Sequence, residues 1–429
     1  MTRFLITLLV LVFISEVNAQ GIIIRGINII PMTSDTVIEN KSVLVQDGKI
    51  KAIGDFKKLP KNKETKVING KGKYLMPGLA DMHVHLPEEN EIERLLLSNI
   101  AAGVTQIRIM NSSVSQTDLK EKLKNKGDLI SPKIHYSHLV KRSETYTETQ
   151  ADSLMQQIKS SGIDFVKLLS LSDEATFDHL IKAANRYNIT ICGHYPVYQD
   201  DGRSIMIDME KVIKSNFKSI EHLAGYIWLR DKDQIDNVLN LTKEYNIYNC
   251  PTLDWDIMSG DLQYPDEYKN RLTYQFLPKS VTKDWESNYQ LAIEKAGGKE
   301  KVIESRDKKL PGFELKLKIL KRLYENGCLL LIGSDAGNDF QADGFNIYEE
   351  MMNWKNAGID NYTILKSATV TPSQFFNEQN IWGTIEAGKN AEMVILSKNP
   401  LNDIRNITTI ETTITGEKVY DNKELIDKL

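Results

Sequence analysis

Short apolar runs separated by turn residues make up the first part of the chain. Runs of this length, rich in β-branched residues, predict β-strands. They lie at Ile22–Ile24, Ile27–Ile30, Val43–Val45 and Val67-Ile68. Asp47-Gly48 follows the third run and is a strong signal for the tight turn of a β-hairpin. The segment from Gly21 to about Leu75 is therefore predicted to be all β.

The periodicity changes at Met76, where short apolar runs begin to alternate with longer stretches of helical spacing. Eight strands are predicted, at Leu79–His85, Val104–Ile109, Lys133–His138, Asp164–Leu169, Ile189–His194, Lys218–His222, Ile247–Pro251 and Leu329–Asp335. Amphipathic patterns between them predict helices, for example at Glu91–Ala102, Ala151–Ser161 and Glu174–Tyr187. Alternation of this kind over roughly 260 residues predicts an α/β fold with a (β/α)8 TIM-like barrel of parallel strands.

The β pattern returns near the carboxyl end of the sequence. Strands are predicted at Gly383–Glu386, Ala391–Leu396, Ile410–Ile414 and Glu417–Tyr420, with Thr415-Gly416 as a turn. Neither β-rich end is long enough for a substantial domain alone, so both are expected to form one discontinuous β-sandwich-like domain. The predicted regions are a leader at 1–19, a first β part at 20–77, a barrel at 78–382 and a second β part at 383–429.

A long insertion, residues 252–328, follows the seventh predicted strand. It carries five aromatic residues among charges: Trp255, Tyr264, Tyr268, Trp285 and Tyr289. Long insertions after barrel strands often form a lid or a wall of the substrate site. A contact in a homo-oligomer is an equally good interpretation.

The first residues have the pattern of an export signal. Arg3 precedes the apolar run Phe4–Ile14, and Val17-Asn18-Ala19 resembles a cleavage site. The run is shorter than the roughly 20 residues that span a bilayer. A signal peptide predicts a periplasmic or secreted protein without a membrane anchor after cleavage, and the alternatives are a retained anchor or a buried first strand.

The composition and charge of the chain indicate which kind of molecule it binds. Hydrophobic residues make up 41% and charged residues 26% of the chain, as in an ordinary soluble protein, and the formal net charge is -4. No basic surface for nucleic acid is indicated, so a small polar substrate is expected. The three cysteines, each in or beside an apolar run, do not suggest a disulfide framework.

The chemistry is concentrated at the ends of the predicted strands. His83 and His85 are two residues apart on a strand, so both side chains point to the same side and could grip one divalent ion. Further polar side chains at the ends of strands four, five, six and eight are Lys167, His194, His222 and Asp335. Barrel enzymes build their sites at this end of the strands. Unrelated core positions are the alternative, but they would leave several buried polar groups without partners.

The motifs resemble the amidohydrolase superfamily, in particular its imidazolonepropionase-related and metal-dependent Xaa-Pro dipeptidase-like branch. Met76–His85 is similar to the entry motif of that branch, and three later segments match in order: Gly103-Val104-Thr105, Gly333–Gly337 and Gly388–Glu392. The resemblance covers nearly the whole sequence after the leader. It is far more specific for the superfamily than for a substrate.

The resemblance implies a binuclear zinc centre, with two Zn²⁺ per chain. His83, His85 and Asp335 would hold one ion and His194 and His222 the other, bridged by a carboxylated Lys167. A neutral lysine amine can add CO2, and two cations would offset the charge of the carbamate. The alternative is an unmodified Lys167 paired with Asp335 beside a single metal.

The same resemblance implies attack by a metal-bound hydroxide. Asp335 would accept the proton and pass it to the leaving nitrogen. His138, at the end of the third strand, could donate to the developing oxyanion or could be a structural histidine of the rim. His135 and His179 are expected to be structural.

Residues that read the substrate are harder to assign. Tyr195 follows one predicted ligand, and Tyr226 and Arg230 follow another. An arginine there could clamp a terminal carboxylate, although Arg108 competes for that role and a solvated loop charge fits Arg230 equally well.

The sequence therefore predicts a metal-dependent hydrolase of an amide or peptide bond in a small molecule or dipeptide. A ring-opening hydrolase of a lactam, lactone or imidazolone is the alternative. A deaminase is less favoured, because those branches carry a His-x-x-Glu where this chain has His194–Val197. An inactive metal-binding protein is also less favoured, because Asp335 and all four strand-end histidines are present.

Overall fold

The structure, a computed structural model, describes residues 21–259, 263 and 266–429. The predicted signal peptide at 1–19 and Tyr264 of the insertion lie outside the described residues. Among the helices that are described, none combines the length and apolar character needed to cross a membrane.

The described strands, in chain order, are β1 (Ile22–Ile29), β2 (Ile38–Gln46), β3 (Lys49–Gly54), β4 (Lys66–Asn69), β5 (Tyr74–Pro77), β6 (Leu79–Leu86), β7 (Val104–Ser112), β8 (Lys133–His135), β9 (Ser137–Val140), β10 (Phe165–Leu168), β11 (Thr190–Gly193), β12 (Val197–Asp200), β13 (Arg203–Met206), β14 (Ser219–Glu221), β15 (Tyr248–Cys250), β16 (Leu329–Leu330), β17 (Glu392–Leu396), β18 (Ile410–Thr415) and β19 (Lys418–Asp421).

The described α-helices are α1 (Ile92–Ala101), α2 (Gln116–Lys124), α3 (Glu148–Ser161), α4 (Glu174–Tyr187), α5 (Met209–Lys214), α6 (Lys232–Glu244), α7 (Leu253–Ser259), α8 (Lys279–Lys295), α9 (Lys299–Asn326), α10 (Ile347–Asn356), α11 (Asn361–Ser367), α12 (Val370–Phe375) and α13 (Asn422–Ile426).

Strands from both ends of the chain form one eight-stranded sheet. Its order is β19-β18-β17-β5-β1-β2-β3, and β4 also pairs with β1. The two ends meet where β5 runs antiparallel to β17, with Met76 opposite Val394. Strands from the two ends therefore share one sheet, and a single discontinuous β-sandwich-like domain built from both ends stays a prediction.

The turns of this sheet illustrate how local sequence sets local structure. Asp47 and Gly48 have φ values of 54° and 71°, as a two-residue turn of the expected kind requires, and they join β2 to β3. The predicted strand at Gly383–Glu386 is wrong, since no strand is assigned there. Gly383 has a φ of 95°, which is incompatible with extended backbone.

The eight strands predicted after Met76 are all found, and they pair in parallel. One sheet has the order β6-β7-β8 and the other β16-β15-β14-β11-β10-β9. The third predicted strand is split at Tyr136, so that β8 pairs with β7 and β9 pairs with β10. Met82 N donates to Ile332 O and Asp335 N donates to His83 O, both at 2.9 Å, which joins the first strand to the segment after β16.

Side-chain alternation decides which residues the strands present to the site. In β10, Val166 and Leu168 belong to a large apolar cluster, whereas Phe165 belongs to a smaller one with Cys192 and Cys250. Successive side chains of a strand point to opposite faces. Lys167 is therefore on the side of Phe165, away from the larger cluster. All three cysteines are free and buried, as expected for small apolar residues.

The insertion after β15 is helical, with α7, α8 and α9 among the described residues of 252–328. The hairpin of β12 and β13, which follows the fifth strand of the parallel sheets, was not predicted. Its turn is Asp201-Gly202, the same residue pair that predicted the first hairpin.

Candidate metal centre

Three of the predicted ligands come together at the carboxyl end of β6. Nε2 of His85 lies 3.2 Å and Nε2 of His83 lies 3.6 Å from Oδ1 of Asp335. Ligand atoms of all three residues lie within 4.8 Å of one another, close enough to share one cation. His83 and Asp335 are buried, and His85 is partly exposed.

His194 and His222 continue this cluster from the ends of β11 and β14. Their rings are 4.9 Å apart between centroids, and the ring of His222 is 5.0 Å from that of His83. Nδ1 of His222 lies 3.6 Å from Oδ2 of Asp335. Asp335 therefore contacts histidines of both predicted ion positions.

Two of these residues have an unusual backbone. His222 has a φ of 62° and Asp335 a φ of 45°, in the left-handed region that favours glycine. A non-glycine residue held there costs about 1–3 kcal/mol, and such residues cluster at functional sites. The strain indicates that the fold positions these two side chains at the expense of stability.

Lys167 is completely buried, and its Nζ has no hydrogen-bond partner within the described chain. Burial lowers the pKa of this amine. A buried ammonium without a partner is costly, so the environment favours a neutral amine, the form that can add CO2.

Unsatisfied buried atoms show whether a metal suits the cluster. Besides Lys167 Nζ, His83 Nε2 and Asp335 Oδ1 have no hydrogen-bond partner in the described structure. Burial lowers the pKa of His85 to about 4 and that of His194 to about 3, so both imidazoles are neutral near pH 7. Neutral imidazoles and a carboxylate with unused lone pairs form a donor set suited to Zn²⁺. The residues present fit a metal ion.

Protein partners orient three of the four rings through Nδ1. Nδ1 lies 2.9 Å from Glu221 Oε2 in His83, 2.9 Å from Leu169 O in His194 and 2.6 Å from Thr252 Oγ1 in His222. Contacts of this kind leave Nε2 as the metal-binding atom.

Glu221 was not identified from the sequence, although it directly precedes His222 on β14. Both of its oxygens accept from Arg108, which is also completely buried. Burial alone would raise the pKa of Glu221, but Arg108 and further neighbours, among them Ser219, together outweigh burial and lower the pKa. This corrects the suggestion that Arg108 clamps a substrate carboxylate, since its partner is Glu221.

A second potential ligand group consists of His83, Glu221 and Cys250. Burial raises the pKa of the Cys250 thiol well above its ordinary value, so the sulfur is protonated. The contacts of Glu221 with Arg108 and His83 already occupy its oxygens. This group is therefore a poorer cation site than the first.

Two of the three residues proposed to contact the substrate, Tyr195 and Tyr226, are buried. Tyr226 is fully buried and shares a hydrogen bond with Thr242, and Tyr195 donates its hydroxyl to Ile207 O. These contacts place Tyr226 in the core and correct its assignment as a substrate residue. Tyr195 is 3% exposed, so its hydroxyl is not available to a substrate either. Arg230 is exposed to solvent.

The three remaining histidines differ in the hydrogen bonds of their ring nitrogens. Nε2 of His138, on β9, is buried without a partner in the described residues, as an unused donor for an oxyanion would be. His135 stacks on Phe376 and bonds Gln106, and His179 bonds Tyr146 O. The contacts of His135 and His179 agree with the structural roles expected for them.

The insertion lies against one side of the candidate metal centre. Its first helix, α7, begins just after β15 and brings the ring of Trp255 to 5.9 Å from that of His222. A cavity of about 1020 Å³ is lined by the end of α7, by α8 and α9, and by Gly337–Phe340, which follow Asp335. These contacts favour a wall of the site over a contact in an oligomer.

Buried polar contacts tie this wall to the segment that carries Asp335. Asp254, on α7, accepts from Arg271, from Gln341 and from Asn346. Asn346 also donates to Ser334 O, one residue before Asp335. The insertion thus helps to fix the backbone of the proposed proton acceptor.

Solved structures with the same fold include several peptidases. A Xaa-Pro dipeptidase with bound methionine in its active site superposes with a TM-score of 0.68 at 18% identity, covering 94% of this chain and 100% of that chain. A putative prolidase from Bifidobacterium longum gives a TM-score of 0.66 at 17% identity, covering 96% of this chain and 99% of that one. At these identities the likeness shows the fold alone.

Curated relatives match only short segments. A 5-methylthioadenosine/S-adenosylhomocysteine deaminase from Caldanaerobacter subterraneus is 42% identical over 67 residues, which is 16% of this chain and 15% of the relative. The family comparison is far broader, because the Amidohydrolase family profile matches residues 74–419, a range that includes every residue of the candidate metal centre. The chain therefore belongs to the amidohydrolase family.

Proposed function

We propose that this protein is a metal-dependent hydrolase that cleaves an amide or peptide bond in a small, dipeptide-like substrate. The observation that carries the proposal is the convergence of His83, His85, His194 and His222 on Asp335 at the carboxyl ends of parallel strands. Hydrolysis of carbon–nitrogen bonds is the activity typical of the family, and dipeptidase-like enzymes share the fold.

The proposal includes a closed (β/α)8 barrel. The bonds from Met82 to Ile332 and from Asp335 to His83 support closure between the first and eighth strands. Closure would bring the ends of all eight strands to one face, where barrel enzymes carry their chemistry.

We propose two Zn²⁺ per chain. His83, His85 and Asp335 would hold one ion, His194 and His222 the other, and a carboxylated Lys167 would lie between them. When bound, Zn²⁺ lowers the pKa of water to about 7 and so supplies a nucleophile near neutral pH.

Asp335 and His138 would handle protons and developing charge. Asp335 would accept the proton of the attacking water and return it to the leaving nitrogen. Its burial and its contacts with three imidazoles hold the carboxylate in place for that transfer. The free Nε2 of His138 would donate to the oxyanion that forms on the substrate carbonyl.

The substrate class is tested directly by assay of protein prepared with zinc and bicarbonate. Dipeptides, including Xaa-Pro, would be compared with lactams, lactones and imidazolones, and amine release would be measured. Turnover of dipeptides is expected. Turnover of cyclic substrates alone would establish the ring-opening alternative in place of this proposal.

Deamination has a specific observation in its favour, the short match to a deaminase. Against it, His194–Val197 lacks the glutamate of the deaminase pattern, and the buried Lys167 is not part of such sites. Ammonia released from an aminated heterocycle, with no dipeptide turnover, would support the deaminase.

We also propose that residues 1–19 are removed on export to the periplasm or medium. N-terminal sequencing of protein recovered from those fractions should begin at or near Gln20. Soluble cytoplasmic protein with Met1 intact would contradict this location.

A further inference from the structure

A buried chain of contacts connects three strands behind the metal centre. Oε2 of Glu221 on β14 lies 2.9 Å from Nδ1 of His83 on β6, and Arg108 on β7 lies behind the carboxylate. All three side chains have 0% exposure. Solvent therefore does not compete for these contacts.

The carboxylate of Glu221 is held so that it cannot rotate freely. Nη2 of Arg108 donates to Oε1 at 2.9 Å and to Oε2 at 3.0 Å, and Ser219 Oγ donates to Oε1 at 2.7 Å. Arg108 is itself fixed, because it donates to Met82 O at 2.6 Å and to Ser219 Oγ at 3.0 Å. Met82 directly precedes His83, so the same arginine also holds the backbone of the ligand strand.

We infer that Arg108 and Glu221 are positioning residues that fix the tautomer and the ring orientation of His83. Both oxygens of Glu221 accept hydrogen bonds from Arg108, so the carboxylate is also the acceptor towards His83, and Nδ1 of His83 must carry the hydrogen. Nε2 is then left with its lone pair on the side of Asp335, where it has no hydrogen-bond partner among the described residues. The inference rests on the proposed metal-dependent function for its consequence, but the tautomer can be measured without metal.

The positioning of His83 by Arg108 and Glu221 affects only one of the two proposed ions. His194 and His222 are oriented by a backbone carbonyl and by a threonine hydroxyl, and neither depends on Arg108. Loss of an outer partner of a metal-ligating histidine typically costs 10–100-fold in affinity, which is roughly the effect expected here. Loss of the Glu221 contact should lower the affinity for the ion held by His83, His85 and Asp335. The affinity for the ion held by His194 and His222 should stay unchanged.

Glu221→Gln tests the inference most directly. The glutamine amide can donate to Nδ1 and so favour the opposite tautomer, with hydrogen on Nε2. Glu392→Gln is the matched control, because Glu392 accepts from Gln106, two residues from Arg108 on β7, and contacts no metal ligand. Arg108→Lys keeps the charge but lacks the planar fork, and its effect should be intermediate.

Two measurements are needed. The ¹⁵N shifts of the seven histidines in metal-free protein report the tautomers, and chelator competition gives an affinity for each ion. In the unsubstituted protein His83 should carry hydrogen on Nδ1. Glu221→Gln should lower the affinity for the ion of His83, His85 and Asp335 about 10–100-fold. Its affinity for the second ion should not change, and Glu392→Gln should bind both ions as the unsubstituted protein does.

Several results would overturn the inference. Hydrogen on Nε2 of His83 in the unsubstituted protein would do so, and that result needs no variant to fold. If Glu221→Gln lowered the affinities for both ions equally and also lowered the Tm, the Arg108–Glu221 ion pair would be a structural salt bridge only. If the unsubstituted protein binds no metal while His83 carries hydrogen on Nδ1, the proposed function fails but the positioning contact stands.

Discussion

Oδ1 of Asp335 lies 3.2 Å from Nε2 of His85. The same oxygen has no hydrogen-bond partner in the described structure. A carboxylate that faces an imidazole nitrogen without a bond between them is arranged to share a third species, either a cation or a transferred proton. The two roles assigned to Asp335, ligand and proton acceptor, use the same geometry.

Asp335→Asn separates these two roles. The amide is nearly isosteric and still offers an oxygen, but it cannot accept a proton near neutral pH. We expect kcat to fall by roughly 10²–10⁴-fold, the range of general acid–base catalysis, while much of the metal stays bound. Parallel kinetics and metal analysis test this, and near-normal turnover with metal bound would contradict the mechanism.

Lys167→Ala should reduce the metal content. Without the amine no carbamate could form, so the two proposed ions would lose their shared ligand, and we expect occupancy to fall from two per chain towards one or none. His179→Ala is the control, because the hydrogen bond that the structure describes for His179 is with the backbone carbonyl of Tyr146, which is not one of the candidate ligands. Elemental analysis after dialysis gives the result, and equal occupancy in both variants would exclude a bridging role for Lys167.

Gly333→Ala should damage the site without removing a polar group. A Cβ at position 333 would lie 2.6 Å from Cys250 Sγ and 2.6 Å from His83 Cβ, closer than real Cβ atoms come. The ligand strand must then shift, and we expect a loss of activity together with a lower Tm. Gly127→Ala is the control, since no atom lies within 4 Å of a Cβ there, and similar losses in both variants would contradict the steric explanation.

Glu350 should make the stability of metal-free protein depend on pH. Burial raises its pKa from 4.5 to about 8, so folding favours the protonated form. Its contribution to stability is fully present below about pH 4.5 and is lost as the pH rises through about 8. Glu350→Gln cannot ionise, so its Tm should decline less over this interval.

Thermal unfolding between pH 4.5 and pH 8 checks the prediction, with the exposed Glu64→Gln as control. If the Tm of the unsubstituted protein, of Glu350→Gln and of Glu64→Gln declined in parallel with pH, the pH dependence would have to come from groups other than Glu350.

The convergence of the candidate ligands could be predicted from the sequence because each lies in, or just after, an apolar run that forms or leads into a parallel strand. Strand direction then brings His83, Lys167, His194 and His222 to one edge, and no long-range information is needed. The same reasoning fails for Glu221 and Arg108. Their pairing joins β14 to β7, strands that are not neighbours, and each residue alone resembles an ordinary charge in a strand.

Proximity along the chain does not predict where the side chains near the candidate ligands point. Tyr226 follows His222 closely, yet its short 3-10 turn directs the ring towards Thr242 on α6. Trp255 was noted only as one aromatic residue of the insertion, and its approach to His222 depends on where α7 begins. Loop geometry sets the directions of these two side chains, and it cannot be predicted from hydrophobic periodicity.

The pairing of β5 with β17 has a consequence for biosynthesis. As the nascent polypeptide leaves the ribosome, the edge of β5 stays open until Glu392–Leu396 have been translated, after all the parallel strands. Pairing this distant is slow to form, and an open edge is a template for aggregation. Fragments that stop before Glu392 should therefore precipitate or be degraded. A chaperone would have to guard the incomplete chain for most of its synthesis.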